Sequence, residues 1–359
     1  MNTSKKNHKS YPFYSKYTLR ENDEGPHQNS YFKKQEWWYY NVIFNHEKSE
    51  LKNWSSVISF ATFPHTDTFR LMLHDNNKQK TYGNSYLKPI GTCKQRKPAV
   101  DVRIEDSYAK GKYPNWHVYA NNKNLDKTYI ELDLKYKANS LPVWLLKNTG
   151  LNQSKSPYGY YCVMNCDVEG NVTIDKKTYK VKGLGYHDHT WMPVLGKMSQ
   201  EPKKKLIDFN IWDWFCIHFD NKIDLFIGKF NSDKRSGFSK LIPGCLCISP
   251  VGEKAFETHL FKIKRVGFKD SSIKSLKIPT KIHIKTHKMN VLRKKPFKKP
   301  FLLDIYFEVE NIKETIPRDP PTWVIWETTG KVHGKLKTPK KTINLNGWGL
   351  METTNNIDI

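Results

Sequence analysis

Hydrophobic and polar residues alternate along much of this 359-residue chain, and this period of two is what most limits its fold. Successive side chains of a β-strand point to opposite faces, so the pattern predicts strands rather than helices. The alternating segments are residues 54–63, 128–136, 209–219, 258–263, 281–286, 301–309 and 322–326. Turn-forming sequences such as Asp75-Asn-Asn77 and Ser249-Pro-Val-Gly252 separate them. The pattern therefore predicts an all-β protein made of antiparallel sandwiches or barrels.

The length of the chain predicts two domains, since one domain takes roughly 150 residues. We expect a polar N-terminal arm at 1–30, a first domain at 31–192, a linker at 193–206 and a second domain at 207–355. The arm contains a cluster of turn-forming residues at 21–26, which predicts a loose segment or an edge strand. The linker contains Pro193, Gly196 and Pro202, followed by three lysines.

The net charge of +25 would suit a polyanion, but lysine supplies most of it, and only eight of the 60 basic residues are arginine. Arginine provides the planar group that reads phosphates and bases, and no nucleic-acid-binding motif is present, so no nucleic acid is expected. The basic clusters, at 203–205, 293–299 and 331–341, indicate a solvated surface or peripheral contact with an anionic membrane. We expect a cytoplasmic protein, because no signal peptide or spanning helix is evident; the sequence does not predict an oligomeric state.

Six scattered cysteines do not form a disulfide framework in a chain of this length, and we expect them to be reduced. Cys245 and Cys247 would share one face of a strand, but no second cysteine pair is present to complete a zinc site. No metal or other cofactor is predicted.

The segment 183–191, GLGYHDHTW, contains the most chemically informative residues. In an extended strand Tyr186 and Asp188 point one way, while His187, His189 and Trp191 point the other. The His-x-His pair is one possible metal site, although no nearby residue supplies a third ligand. A second possibility is acid catalysis by Asp188, held by hydrogen bonds from the histidines and kept protonated by an apolar cavity. A third is a buried polar network that holds two domains together.

Two further segments combine tryptophans with an acidic residue. In residues 35–40, QEWWYY, Trp37 and Trp38 face opposite sides of a strand, and Glu36 is a candidate partner for a histidine. Near residue 213 a predicted hairpin places Trp212 and Trp214 on one face, with Asp213 at a core position that requires a partner. Both segments are also typical of ordinary core strands.

In their order along the chain, these segments resemble the family of carotenoid 1,2-hydratases (hydroxyneurosporene synthases) and AttH-like proteins, which also includes fungal Diels–Alderases. The family's Glu-Trp-Trp-Tyr matches residues 36–39, and its Gly-x-Gly-Tyr-His-Asp-His-x-Trp matches 183–191. Its Trp-Asp-Trp-Phe and Gly-x-Gly-x-x-Glu motifs match residues 212–215 and 347–352. Its late Tyr-Trp-Glu-Gly motif is echoed by residues 325–328 and by Gly330, with the glycine displaced. The chain departs from the family after the second histidine, where Thr190-Trp-Met192 replaces the frequent Asn-Trp-Gly.

This resemblance implies two lipocalin-like antiparallel barrels or half-barrels that enclose an apolar ligand. It also implies that Tyr186 and Asp188 perform the chemistry, with His187, His189 and Glu36 as orienting groups. Trp37, Trp38, Trp191, Trp212 and Trp214 are the candidate walls of the pocket. The leading hypothesis is a cofactor-free hydratase or cyclase of an isoprenoid, terpenoid or polyene. A pericyclic cyclase and a non-catalytic lipid or isoprenoid carrier are the alternatives.

Overall fold

A computed structural model describes residues 18–27, 34–123, 125–147, 159–193, 212–230, 244–286, 301–315, 323–338 and 340–356. Within these residues the chain is almost entirely β-structure, arranged in two antiparallel sheets. The all-β prediction is therefore confirmed. The single helix, α1 (Glu21–Glu24), is one turn long, and no described helix has the length and apolar character to cross a membrane.

The first sheet contains the described strands up to residue 193, and we call residues 34–193 the first half-barrel. Its strand order is β4-β3-β2-β1-β12-β11-β9-β8-β7-β6-β5, with β10 paired to β11. The strands are β1 (Lys34–Phe44), β2 (Trp54–Thr62), β3 (Asp67–Asp75), β4 (Lys80–Lys88), β5 (Lys94–Gln95), β6 (Val100–Ile104), β7 (Ser107–Lys112), β8 (Asn115–Asn121), β9 (Ile130–Ala138), β10 (Pro142–Lys147), β11 (Gly159–Ile174) and β12 (Lys177–Pro193).

The second sheet contains the strands from residue 212 onward, and we call residues 212–356 the second half-barrel. Its strand order is β16-β15-β14-β13-β21-β20-β19-β18-β17. The strands are β13 (Trp212–Phe219), β14 (Ile223–Phe230), β15 (Cys245–Pro250), β16 (Phe256–Thr258), β17 (Phe261–Asp270), β18 (Lys277–Thr286), β19 (Leu302–Thr315), β20 (Trp323–Lys337) and β21 (Thr342–Asn356). Apart from Pro193, the predicted linker 193–206 lies outside the described residues, so its boundaries stay a prediction.

Three main apolar clusters follow from the period of two along the strands. One is built from first-half-barrel residues alone and a second from second-half-barrel residues alone. The third combines both, joining residues such as Tyr39, Tyr186 and Cys162 to Trp214 and Phe226. Alternate side chains of β1 and β12 thus pack into the interior of the first half-barrel and against the second half-barrel. This third cluster, the interdomain cluster, is where the chemically informative residues meet.

The described part of the N-terminal arm is neither loose nor a strand, contrary to the prediction. Helix α1 packs on the first half-barrel, with Asp23 and Glu24 both about 1% exposed. The Glu24 carboxylate accepts hydrogen bonds from the Tyr113 backbone N–H (2.8 Å) and from Trp116 Nε1 (2.8 Å), and Trp38 Nε1 donates to the Glu24 carbonyl (2.9 Å). These long-range partners hold the arm, and local composition does not reveal them.

Candidate functional site

Asp188 lies on β12 beside Tyr186 of the interdomain cluster, and only 2% of its surface is exposed. Its Oδ2 atom accepts hydrogen bonds from the hydroxyls of Tyr186 (2.8 Å) and Tyr160 (3.0 Å). Trp214 Nε1, from the second half-barrel, donates to the Tyr160 hydroxyl at 3.1 Å. The other carboxyl oxygen of Asp188, Oδ1, is buried without a hydrogen bond to any described residue. The carboxyl thus has one oxygen held by two tyrosines and one available for other contacts.

Burial raises the pKa of Asp188 from 3.8 to about 8. The side chains of Tyr186, Tyr160 and, to the smallest extent, Trp37 lower this pKa by hydrogen bonding, whereas the charge of Glu352 adds to the rise. Burial also raises the pKa values of both tyrosines well above 10, so they keep their protons and donate. Since Oδ2 already accepts two hydrogen bonds, the proton of the neutral carboxyl is carried by Oδ1. At neutral pH the group is therefore a protonated acid whose donor atom is Oδ1.

Aromatic rings surround this carboxyl on both sides of the domain interface. Trp214 makes edge contacts with Tyr39 and Tyr186, with ring centroids 5.2 Å apart in each case. Phe226 stacks on Tyr186 at 6.2 Å and meets Tyr160 edge-on at 5.8 Å. Ring faces carry partial negative charge, and such faces stabilise cations.

The two histidines of the motif do not hold Asp188, contrary to the prediction, because alternation turns them to the other face of β12. His187 Nδ1 lies 3.1 Å from the Tyr39 carbonyl, and its Nε2 lies 3.2 Å from the Tyr161 hydroxyl. His189 Nδ1 lies 3.2 Å from the Asp23 carbonyl. Burial lowers the pKa of His187 to about 3 and that of His189 to about 4, so both rings are neutral.

Glu36 contacts His189, with 3.0 Å between Glu36 Oε1 and His189 Nε2. This agrees with the prediction that Glu36 is the partner of a histidine. His27 joins them, because its backbone N–H donates to the same Oε1 at 2.8 Å. The ligand atoms of these three residues lie within 4.8 Å of one another, a spacing that a metal ion could use. His187 is not part of this group, so the proposed His-x-His pair does not converge on one point.

The five predicted wall tryptophans divide between two faces. Trp37, Trp212 and Trp214 belong to the interdomain cluster, beside which Asp188 lies. Trp38 belongs to the interior of the first half-barrel and stacks on His189 at 4.5 Å, and Trp191 stacks on His27 at 3.5 Å. Trp38 and Trp191 therefore cannot form walls beside Asp188, because the period of two directs them away from it.

The sequence prediction missed a second buried charged group in the interface, Arg70 of β3 with Glu327 of β20 and Glu352 of β21. Arg70 Nη1 donates to both carboxylates, which are direct cross-strand neighbours. Trp212 Nε1 also donates to Glu352 at 2.6 Å. Glu327 and Glu352 are the acidic residues of two of the motifs that carry the family resemblance. Their place in those motifs was the sequence feature that could have indicated a functional or structural role for both glutamates.

Strand register places these groups in two facing rows. On the first sheet, consecutive cross-strand partners run from Asp188 through Tyr39 and Ser59 to Arg70. On the second sheet, the row runs from Trp214 through Glu352 to Glu327. Asp188 is joined through Tyr160 to Trp214 at one end, and Arg70 meets the two glutamates at the other. The rows define a polar and aromatic seam between the half-barrels.

Two of the cavities that described residues line are not lined by Asp188. One, of about 720 Å³, lies on the first half-barrel beside Trp116, Tyr136 and Gly183. The other, of about 570 Å³, lies between the half-barrels and is lined by residues that include Asn76 and Trp348. The predicted substrate pocket beside Asp188 therefore stays a prediction.

Comparison with known proteins identifies the family. The model of the AttH-like family matches residues 21–354. A candidate AttH from Nitrosomonas europaea has a similar structure, with a TM-score of 0.61, 14% identity, and 92% of this chain and 95% of that chain covered. Kievitone hydratase from Nectria haematococca gives 0.61 at 12% identity over 96% and 93%. CghA gives 0.54 at 10% identity over 91% and 89%.

A search of curated proteins found no match. At these identities the structural likenesses concern the fold, whereas the family model spans nearly the whole chain. The chain belongs to the AttH-like family.

Proposed function

We propose that this protein is a hydratase or cyclase that protonates an alkene of an apolar isoprenoid or polyene, with Asp188 as the acid. The observation that carries the proposal is the state of this carboxyl: it is buried, its pKa is raised to about 8, and Oδ1 makes no hydrogen bond to the described residues. Kievitone hydratase, a protein of similar fold, is by name an enzyme that adds water.

The proposed reaction balances without a redox partner. The proton on Asp188 Oδ1 forms a bond to one alkene carbon, using the alkene π electrons, and leaves a carbocation on the other carbon. The rings of Trp214, Tyr39 and Tyr186 stabilise this cation. In hydration, water bonds to the cation and the oxonium proton returns to the Asp188 carboxylate. In cyclisation, a second alkene of the same substrate bonds to the cation and leaves a new cation, which then loses a proton from a neighbouring carbon to the Asp188 carboxylate.

The tyrosines have a positioning role in this proposal. Tyr186 and Tyr160 both donate to Oδ2, so the proton stays on Oδ1 and the carboxyl cannot rotate freely. When Asp188 loses its proton, the same two hydrogen bonds stabilise the carboxylate. His187, His189 and Glu36 support the strand from its other face.

The experiment begins with solvent extraction and mass spectrometry of the purified protein, to identify any apolar molecule that copurifies. That molecule, kievitone and a panel of linear isoprenoids are then incubated with the protein in D₂O. We expect one deuterium on carbon per product molecule. Since the acid form is required, turnover should fall as pH rises through about 8.

Asp188→Asn keeps the shape and the acceptor oxygen but removes the transferable proton, so we expect turnover to fall by about 10³-fold or more while ligand binding persists. Glu24→Gln is the matched control. Glu24 is also a buried carboxyl, and burial raises its pKa to about 7, but it lies in the N-terminal helix α1. The turnover of this variant should stay close to wild type. Undiminished turnover in Asp188→Asn would contradict the acid role and favour catalysis by substrate folding alone.

A further inference from the structure

Two pairs of metal-binding side chains meet at the edge of the second sheet, outside the hydrogen bonds described for Asp188, although the two cysteines among them belong to the interdomain cluster. Cys245 and Cys247 lie on β15, Glu257 lies on the neighbouring edge strand β16, and His259 follows directly after it. The strand register pairs Cys247 with Glu257, and continuing it by two residues pairs Cys245 with His259. Because residues two apart on a strand share a face, all four side chains point to the same side. The sequence prediction looked for a second cysteine pair, whereas pairing supplies a Glu-x-His pair.

The distances between the ligand atoms suit one small metal ion. Cys245 Sγ lies 3.2 Å from Glu257 Oε1 and 3.4 Å from Cys247 Sγ, and His259 Nε2 lies 3.5 Å from Glu257 Oε1. In a tetrahedral zinc site, with bonds of about 2.0–2.3 Å, ligand atoms lie roughly 3.3–3.8 Å apart. The ligand atoms of Cys245, Glu257 and His259 all lie within 4.8 Å of one another, whereas Cys247 Sγ lies beside this group and would reach the same point by a change of side-chain rotamer.

The orientation of His259 is an independent sign of a metal site. Its Nδ1 lies 2.9 Å from the carbonyl oxygen of Gly244, so Nδ1–H donates and Nε2 carries the lone pair. Nε2 is the atom that faces Glu257. Histidines that bind metals almost always donate their other ring N–H to a carbonyl or carboxylate, which fixes the tautomer and the ring orientation.

Burial also fits a site that exchanges its ion with solvent. Cys247 is fully buried and Cys245 is 7% exposed, while half of the His259 side chain is exposed. The thiols therefore lie at the bottom of the group and the imidazole at its open side, which gives an ion a route of entry.

We propose that Cys245, Glu257 and His259 bind a divalent transition-metal ion of the Zn²⁺ class, with the Cys247 thiol as the fourth ligand. Two sulfurs, one imidazole and one carboxylate favour zinc over the hard ions Mg²⁺ and Ca²⁺, which prefer oxygen ligands. The ion would fasten the three-residue edge strand β16 to β15. This proposal does not depend on the acid role of Asp188.

The test uses the full-length chain, reduced with a phosphine and freed of metal, and titrated with Co²⁺. We expect one Co²⁺ per chain, near-ultraviolet absorption from thiolate-to-cobalt charge transfer, and loss of that absorption when Zn²⁺ is added. Zn²⁺ should also raise the melting temperature, because an ion that binds only the folded state stabilises it. Absence of the charge-transfer absorption would overturn the proposal.

Variants locate the site. Cys245→Ser and His259→Ala should each weaken Co²⁺ binding by tenfold or more, and Cys247→Ser should remove about half of the charge-transfer absorption. Cys93→Ser and His46→Ala, both in the first half-barrel, are the matched controls and should leave binding unchanged. His259 is half exposed, so its alanine variant should fold even where a buried cysteine variant does not. Unchanged binding in folded His259→Ala would overturn the site, and unchanged absorption in Cys247→Ser would exclude the fourth ligand.

Discussion

The two oxygens of Asp188 have different environments, and the proposed chemistry depends on this difference. Oδ2 accepts from Tyr186 and Tyr160, whereas Oδ1 has no hydrogen bond among the described residues. A carboxyl with both oxygens solvated would lose its proton near pH 4 and could not act as an acid at neutral pH. Burial supplies the raised pKa, and the tyrosines decide which oxygen carries the proton.

The raised pKa of Asp188 predicts a pH-dependent cost in stability. Below about pH 4 the carboxyl is protonated in both the folded and the unfolded chain. Between about pH 4 and pH 8 it ionises only in the unfolded chain, which lowers the free energy of unfolding by up to about 1.4 kcal/mol per pH unit. Asp188→Asn is neutral throughout, so its stability relative to wild type should rise from pH 5 to pH 8.

Urea denaturation of both proteins at pH 5 and pH 8 measures this difference, which we expect to be on the order of 2–4 kcal/mol. Asp106→Asn, an exposed substitution in the turn between β6 and β7, is the control and should show no such trend. A stability difference that does not change with pH would contradict a raised pKa at Asp188.

At this scale the sequence predicted the direction of side chains better than their contacts. Alternation along β12 correctly separated Tyr186 and Asp188 from His187 and His189. It could not supply Tyr160, which reaches Asp188 from β11 through strand pairing. Hydrogen-bond partners from other strands depend on register, and register is not encoded locally.

Among the elements, strands β3, β20 and β21 bring Arg70 between Glu327 and Glu352. Burial and the neighbouring Glu352 raise the pKa of Glu327. Burial would also raise the pKa of Glu352, but Arg70 outweighs it and holds that pKa low. One arginine thus compensates one carboxylate fully, and the glutamate pair retains a proton. The group connects the first half-barrel to the second.

Removing Arg70 should destabilise the protein strongly, because the two carboxyls would remain buried without their cation. For Arg70→Met we expect a loss of about 3–5 kcal/mol in the free energy of unfolding. Adding Glu352→Gln in the same chain should restore part of it, because Glu352 is the carboxylate that Arg70 keeps ionised. Arg103→Met changes an exposed arginine and should cost less than about 0.5 kcal/mol.

Denaturant unfolding of the four proteins under one buffer condition provides the measurement. A loss below about 1 kcal/mol for Arg70→Met would show that the glutamates find other compensation and that the group does not hold the half-barrels together.

Sequence reasoning located several strands closely, since residues 54–63 correspond to β2 (Trp54–Thr62) and residues 301–309 lie within Phe301 and β19 (Leu302–Thr315). It failed for the arm, where a turn-forming cluster became helix α1. The helix is held by Tyr113 and Trp116, which lie about 90 residues away in sequence, so no local pattern predicts it.

For the molecule as a whole, the net charge of +25 opposes compaction, because like charges repel more in the folded state. The described part of the cluster at 331–341 shows the arrangement: Lys331, Lys335 and Lys337 are exposed along the outer face of β20. Salt screens such repulsion, with a Debye length of about 10 Å at 0.1 M.

We therefore expect the melting temperature to rise by a few degrees, about 2–5 °C, as NaCl increases from 0.02 to 0.3 M. The double variant Lys335→Glu and Lys337→Glu should show a smaller rise, since it lowers the net charge. Scanning calorimetry measures both. A melting temperature that falls with salt would indicate that attractive ion pairs dominate the surface.

The hydrogen bond from Trp214 to Tyr160 means that the acidity of a residue in one half of the chain is set partly by the other half. Expressed alone, residues 1–193 would leave Asp188 hydrated and ionised, an inert carboxylate. Relatives that diverge only in the second half could thereby shift their working pH without altering a residue of the Tyr-His-Asp-His motif. Substitutions in the second half of the chain would thus change the pKa of the Asp188 carboxyl and suit it to substrates of different basicity.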